Sequence, residues 1–190
     1  MRNVIRIVVL VVALLIAFIT SRPDHFRVER STSIAATGTA VFAHLDNFHR
    51  WADWSPWEKL DPQMKRTYEG PESGLGASYA WAGNNKVGEG RMTISQVEAP
   101  SHLAMNLEFI KPFKANNTCS FSLAADGANT KVTWVMEGHE DFMGKAMGLF
   151  MSADKMIGPD FERGLGNLRT LAEHEAPQPS DSSAAPAARH

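Results

Sequence analysis

The stretch His102-Leu-Ala-Met-Asn-Leu-Glu-Phe-Ile110 decides the fold. Leu103, Met105, Leu107 and Phe109 alternate with His102, Ala104, Asn106 and Glu108. A period of two puts the apolar set on one face of a strand and the rest on the other. Strands with one buried and one wetted face belong to antiparallel sheets. The neighbouring segments repeat the pattern. Lys65–Gly70 and Ala77–Gly83 read as strands, the second with Tyr79 and Trp81 on one face. Gly88–Ala99 aligns Met92 with Ile94, Asn117–Ala125 aligns Cys119, Phe121 and Leu123, and Lys131–Gly138 aligns Val132, Trp134 and Met136. Asp126-Gly127 is a hairpin turn signal between the last two. Upstream, Phe26–Ile34 predicts one more strand, with Phe26, Val28 and Arg30 on the same face.

The period changes after these strands. Ile157, Phe161, Leu165, Leu168 and Leu171 recur at helical spacing and make one apolar stripe, with Asp160, Glu162, Arg163 and Arg169 off it. Gly158-Pro159 marks a start or a kink in that helix. Phe142–Met151 is a separate helical or irregular segment. Near the other end, Thr37-Gly38 opens a short helix containing Val41, Phe42 and Leu45, and a second short helix leads to Trp51. The order is strand, two short helices, six further strands and a long helix. An antiparallel sheet with its apolar face on one C-terminal helix is an α+β solution.

Between the short helices and the second strand lies Trp51-Ala-Asp-Trp54-Ser-Pro-Trp57-Glu58, which holds three of the chain's five tryptophans. Ser55-Pro56 stops a helix, so the rings are expected on a connection, either capping the core or lining a cavity mouth. Trp51 reads as structural, with Trp54 or Trp57 at the opening.

The chain has 190 residues and a formal net charge of −2, without the basic excess of a nucleic-acid binder. Its single cysteine, Cys119, excludes an intrachain disulfide and falls in an apolar alternation, as a small core residue does. Ile7–Ile19 is unbroken apolar sequence, and a helix from Asn3 to Ser21 would reach about 28 Å, close to the bilayer core. Phe18-Ile-Thr-Ser-Arg-Pro23 lacks the small-residue site of a cleaved signal peptide, so residues 1–23 are expected to form an uncleaved anchor. Arg2 and Arg6 precede the span and Arg22 and Arg27 follow it. The first pair favours a cytoplasmic N-terminus, with a single-pass anchor in the cytoplasmic (inner) membrane and the soluble domain on the extracytoplasmic side. That domain is expected over residues 24–175. Residues 176–190, rich in Ala, Pro and Ser, read as a disordered tail.

Recognisable chemistry is scarce. The seven histidines show no metal-ligand spacing, and His139-Glu-Asp141 reads as a solvated turn, so no metal or cofactor is expected. Gly74-Leu-Gly-Ala-Ser-Tyr79 departs from a dinucleotide loop at its last position and runs into a strand rather than a helix. Glu108 and Glu137 are expected opposite the apolar face. Glu58 is within reach of a cavity mouth, although carboxylates facing solvent are the commoner case.

Several short motifs together carry a resemblance. They are Phe26-Arg-Val-Glu-Arg-Ser-Thr-Ser-Ile34 followed by Val41-Phe42, then the tryptophan run, Tyr68-Glu-Gly70, Gly74–Tyr79, Thr130-Lys-Val-Thr-Trp134 and Asp160-Phe-Glu-Arg-Gly-Leu165. In this order, over about Phe26 to Leu171, the chain resembles the SRPBCC superfamily of START-like and Bet v 1-like proteins, in its polyketide cyclase/dehydrase branch. The resemblance implies a helix-grip fold, with a curved seven-stranded antiparallel sheet holding the C-terminal helix around a hydrophobic cavity. With that cavity, Tyr79, Trp81, Met92, Met105, Phe109 and Phe121 become candidate lining residues. So do Trp134, Met136, Met147 and Phe161, with Trp54 and Trp57 at the rim. No catalytic residue is singled out. The resemblance does not fix a reaction; taken with the apolar N-terminal segment, it leads to the expectation of a membrane-anchored binder of a hydrophobic small molecule or lipid, leaning away from an enzyme. A cyclase/dehydrase-type enzyme and a protein-interaction or regulatory domain using Trp54 and Trp57 are the alternatives, and no protein partner is identified.

Overall fold

The computed structural model describes residues 1–149 and 151–176. The tail expected from residue 176 therefore lies, past Ala176, outside the described residues. Helix α1 (Arg2–Ser21) comes first, followed by β1 (His25–Ile34), α2 (Gly38–Leu45), a 3-10 turn (Phe48–Arg50) and α3 (Trp51–Trp54). Six strands follow: β2 (Lys65–Glu69), β3 (Ser78–Ala82), β4 (Glu89–Glu98), β5 (His102–Lys111), β6 (Ala115–Asp126) and β7 (Asn129–His139). The short α4 (Phe142–Met147) and the long α5 (Ala153–Glu175) are the last elements among the described residues.

The strands form one seven-stranded antiparallel sheet in the order β1-β7-β6-β5-β4-β3-β2. Hairpins join β2 to β7 in sequence, whereas β1 crosses to the far edge and pairs with β7 from His25↔His139 to Ile34↔Thr130. On β4 an irregularity between Ile94 and Gln96 adds one residue opposite β5, a device that bends a strand. The curved sheet and α5 make the α+β helix-grip arrangement.

Helix α5 lies on the sheet because its stripe requires it. Phe161, Leu165, Leu168 and Ala172 are buried, and Ile157 and Leu171 are half-buried against the same core. Ser152 caps the helix, its Oγ accepting from Lys155 N at 3.4 Å. Pro159 therefore sits inside α5, not at its start, and removes the hydrogen bond to Lys155 O on the exposed side. Gly158 has a different reason to be small. A Cβ there would come within 2.0 Å of Arg30 Nη2. Arg30, on the apolar side of β1, is satisfied by Asp154 and Glu162 of α5, at 2.7 Å each. Gly164 likewise lets α5 approach Trp134, whose ring would be 2.9 Å from an added Cβ.

Local chemistry sets the short elements. Thr37 Oγ1 accepts from Ala40 N and caps α2. Trp51 and Trp54 are helical, which corrects the expectation of a wholly irregular tryptophan run. Ser55 N still donates to Trp51 O at 2.8 Å, and the turn ends where Pro56 has no donor to continue it. Helix α1 is long and apolar enough to cross a membrane, and its side chains are exposed apart from Ile19. It lies against α4. Three residues, Arg22 to Asp24, separate it from β1.

Leu168 is fully buried and Arg169 beside it is exposed. Leu168→Ala is expected to cost about 2–5 kcal/mol, and Arg169→Ala no more than about 0.5 kcal/mol. Urea denaturation of the two variants checks this; equal losses would detach α5 from the core.

Candidate functional site

Two aromatic rings organise the interior. Trp134 on β7 and Phe161 on α5 stack with centroids 3.9 Å apart and planes 9° from parallel. Phe121 stacks on the same indole at 4.9 Å, and Trp51, Trp54 and Trp57 meet it edge-on at 6.5, 5.6 and 5.8 Å. Phe121, Leu103, Met105 and Val132 are fully buried and do not border the open space. That space is a partly open cavity of about 170 Å³. Its wall comes from β3–β7, its roof from α5, and its remaining side from the segment after α3.

The expected lining residues divide accordingly. Trp57, Tyr79, Trp81, Met92, Phe109, Trp134, Met136 and Phe161 border the cavity. Trp54 does not. It is fully buried, donates Nε1 to His44 O at 3.1 Å, and lies edge-on to Phe121, so it presents nothing to an opening or to a partner. Met105 and Phe121 are also fully buried and do not border the cavity, Phe121 lying against the edge-on rings of Trp51 and Trp54. Met147 is half exposed on α4, outside the cavity. Trp51 borders the cavity although it reads as structural in sequence; it is also anchored, donating Nε1 to Leu45 O at 3.0 Å. Leu107 and Ile157 line it too, and both were visible as members of apolar stripes.

One charged group on the wall was expected at best at the mouth. Glu58 is 9 % exposed and lines the cavity. Its two oxygens are both engaged: Arg66 Nε donates to Oε2 at 2.7 Å, and Tyr79 Oη donates to Oε1 at 2.5 Å. Arg66 is held in turn, donating to Glu58 O and Met64 O at 3.1 and 3.0 Å. Burial, then the bond to Glu58, push the Tyr79 hydroxyl well above its usual range, so it remains a donor. Glu58 is thus a compensated carboxylate rather than a free base. Asp160 stands at the rim with Arg163 Nη1 at 3.0 Å. Cys119 lines the wall, and burial pushes its thiol up to about 12, which keeps it neutral and unreactive. Trp134 Nε1 is buried without a hydrogen-bond partner among the described residues.

Other titratable groups lie elsewhere. Glu137 is exposed and paired with Arg27, and Glu108 is exposed. His139-Glu-Asp141 is not one turn unit: Asp141 caps α4 by accepting from Gly144 N at 2.8 Å, whereas His139 faces His25 across the β1–β7 ladder. Asp24, His25 and His139 bring one ligand atom each within 4.8 Å of one another, at an exposed edge away from the cavity.

Residues 25–173 match the family described as polyketide cyclase/dehydrase and lipid transport. No curated protein matches the chain. Among solved structures, a protein from Chromobacterium violaceum is 13% identical with a TM-score of 0.56, over 80% of this chain and 99% of its own. One from Mesorhizobium loti is 16% identical with a TM-score of 0.57, over 80% and 100%. DynU16, from the dynemicin biosynthetic locus, is 16% identical with a TM-score of 0.54, over 82% of this chain and 49% of its own. At these identities the likeness is one of fold.

Removing Arg66 would strand Glu58 in the wall. Because Arg66 is itself 28% exposed, Arg66→Met is expected to cost about 2–3 kcal/mol, less than a fully buried pair. Tyr79→Phe is expected to cost about 1–2 kcal/mol. Denaturation midpoints rank the two, and the reverse order would make Tyr79 the main support of the carboxylate.

Proposed function

The chain belongs to the polyketide cyclase/dehydrase and lipid transport family, and on that premise we propose that it binds a hydrophobic small molecule or lipid in this cavity while tethered to a membrane by α1. The observation that carries the proposal is the character of the wall. It is built of aromatic, Met and Leu side chains, and its internal carboxylate is saturated by Arg66 and Tyr79. Sites for apolar ligands have this make-up, mostly hydrophobic with few polar groups. Acid–base turnover needs a group free to exchange a proton at the reacting atom. Glu58 and Tyr79 are committed to each other, and Cys119 is held neutral, which favours binding over reaction.

The size of the space narrows the ligand. An apolar cavity of roughly 150 Å³ holds benzene, and sites for drug-sized molecules start at about 300 Å³. About 170 Å³ therefore accepts one ring or a short stretch of acyl chain, with the remainder of a larger molecule leaving through the mouth.

In this reading residues 1–23 are the anchor and residues 24–175 the binding domain. Helix α1 would span about 30 Å at 1.5 Å per residue, matching the hydrocarbon core. Arg2 and Arg6 ahead of the span favour an N-terminus in the cytoplasm and a binding domain on the outer side of the inner membrane. A tether raises the concentration of the domain near membrane-borne ligands.

Leu107→Phe puts a ring into the open space. Organic extracts of the purified full-length protein are expected to contain a hydrophobic molecule by mass spectrometry, depleted at least tenfold in the variant, with Tm not lowered. Identical extracts from both proteins, or no such molecule in either, would overturn the binding proposal.

A further inference from the structure

We propose that the end of the domain bearing the cavity mouth docks on an anionic lipid surface, so that the ligand passes between bilayer and cavity without crossing water. The inference rests on the tethered reading and adds an orientation, a contact surface and a lipid charge to it.

The sheet register defines two ends. The start of β1, the end of β7, the β5–β6 turn, the β3–β4 turn and the start of β2 all lie at one end. Helix α1 enters there. The three residues between Ser21 and His25 span at most about 10–13 Å, which holds this end close to wherever α1 stops. The cavity opens toward the same end. Its half-buried lining residues include Trp81 at the end of β3, Val87 in the β3–β4 turn, Phe109 near the end of β5 and Ile157 in the N-terminal half of α5.

Exposed apolar side chains surround that opening. Phe113, in the β5–β6 turn, is 71% exposed, with Ile110 beside it. Leu60 lies in the loop whose backbone meets Asn84 of the β3–β4 turn, and Met156 is on the first turns of α5. Phe142 and Met147 are exposed on α4, next to α1. Single exposed apolar residues are ordinary, but a ring of them around a cavity mouth beside an apolar helix is suited to lipid.

Charge selects the occupant. The chain has eight lysines, and only Lys131, in the β6–β7 ladder's far end, lies away from this end. Lys111 and Lys114 flank Phe113, Lys86 is in the β3–β4 turn, and Lys65 starts β2. Lys59 precedes Leu60, Lys145 is on α4 and Lys155 is on the first turn of α5. Acidic groups are present too. Glu89 pairs with Lys111 at 2.6 Å, Glu137 with Arg27, Asp154 with Arg30 and Asp160 with Arg163, and Asp141 caps α4, leaving Asp24, Glu108 and Glu140. The opposite end carries Glu98, Asp126, Glu173 and Glu175, with Glu69 paired to Arg91 and only Lys131 and Arg169 against them. A domain polarised in this way turns its lysine end toward a negative surface. Lysine stems interleaved with apolar side chains suit the headgroup boundary, where charge stays wet and carbon is buried.

The test uses the full-length chain in phosphatidylcholine vesicles with or without phosphatidylglycerol. An environment-sensitive dye is attached at Phe113→Cys, standing in for the ring, or at Ala128→Cys on the opposite end; the buried Cys119 of the unsubstituted protein is the labelling control. Protein is expected to float with both vesicles. With phosphatidylglycerol, the dye at 113 is expected to shift to the blue and to be quenched by spin-labelled lipid several-fold more than at 128. The combined Lys86→Gln, Lys114→Gln, Lys155→Gln substitution is expected to abolish the difference. Floated protein with equal weak quenching at both positions overturns the docking and leaves the tether standing. Quenching at 113 that ignores both phosphatidylglycerol and the lysines overturns the anionic surface. Protein that does not float overturns the tether and the docking with it.

Discussion

The interior depends on one contact, the stack of Trp134 on Phe161. It is the place where the sheet and α5 meet ring to ring, with planes 9° from parallel. Parallel stacking at this distance needs the helix backbone close to the sheet, and Gly164 supplies the clearance. Every tryptophan of the Trp51–Trp57 run then finds an edge-on partner in Trp134. The stack borders the open space of the interior. In most domains a void of this size is a defect that costs stability. Here the rings bridge it, so the sheet and helix remain joined beside the hollow.

The fold was largely legible because its signals are periodic. The alternation from Leu103 to Phe109 and the stripe from Ile157 to Leu171 are long enough to identify a strand and a helix without help from tertiary contacts. Pro159 left two readings open, a start or a kink, since a proline in an otherwise helical pattern can be either; it lies inside α5, and packing along the rest of the helix carries the element through it. The short helical turn at Trp51–Trp54 was hidden behind Ser55-Pro56 for the same reason: a stop signal says where a helix ends, not how far back it began.

The site was legible only as a face. Periodicity says which residues point inward; it does not say which part of the interior is filled. Phe121 and Trp134 are cross-strand partners on one face, and one is sealed while the other borders open space. Trp54 and Trp57 are three residues apart and part company in the same way. Glu58 illustrates a second limit. Its burial depends on Arg66 from β2 and Tyr79 from β3 arriving from separate strands. Nothing in the Glu58 neighbourhood alone distinguishes a compensated carboxylate from a surface one. Its position next to the tryptophan run was the one available signal.

The sheet order has a consequence in time. Strand β1 is made first but sits at an edge, and its only neighbour in the sheet is β7, about a hundred residues later. During synthesis β2 to β6 can zip up hairpin by hairpin, whereas β1 must wait beside α1 until the last strand emerges. Until then two strand edges stay open, the arrangement most exposed to mispairing between neighbouring chains. Helix α5 follows within a few turns of chain and covers the apolar face. The first strand of the domain can therefore be locked into the sheet only after its last strand has been made.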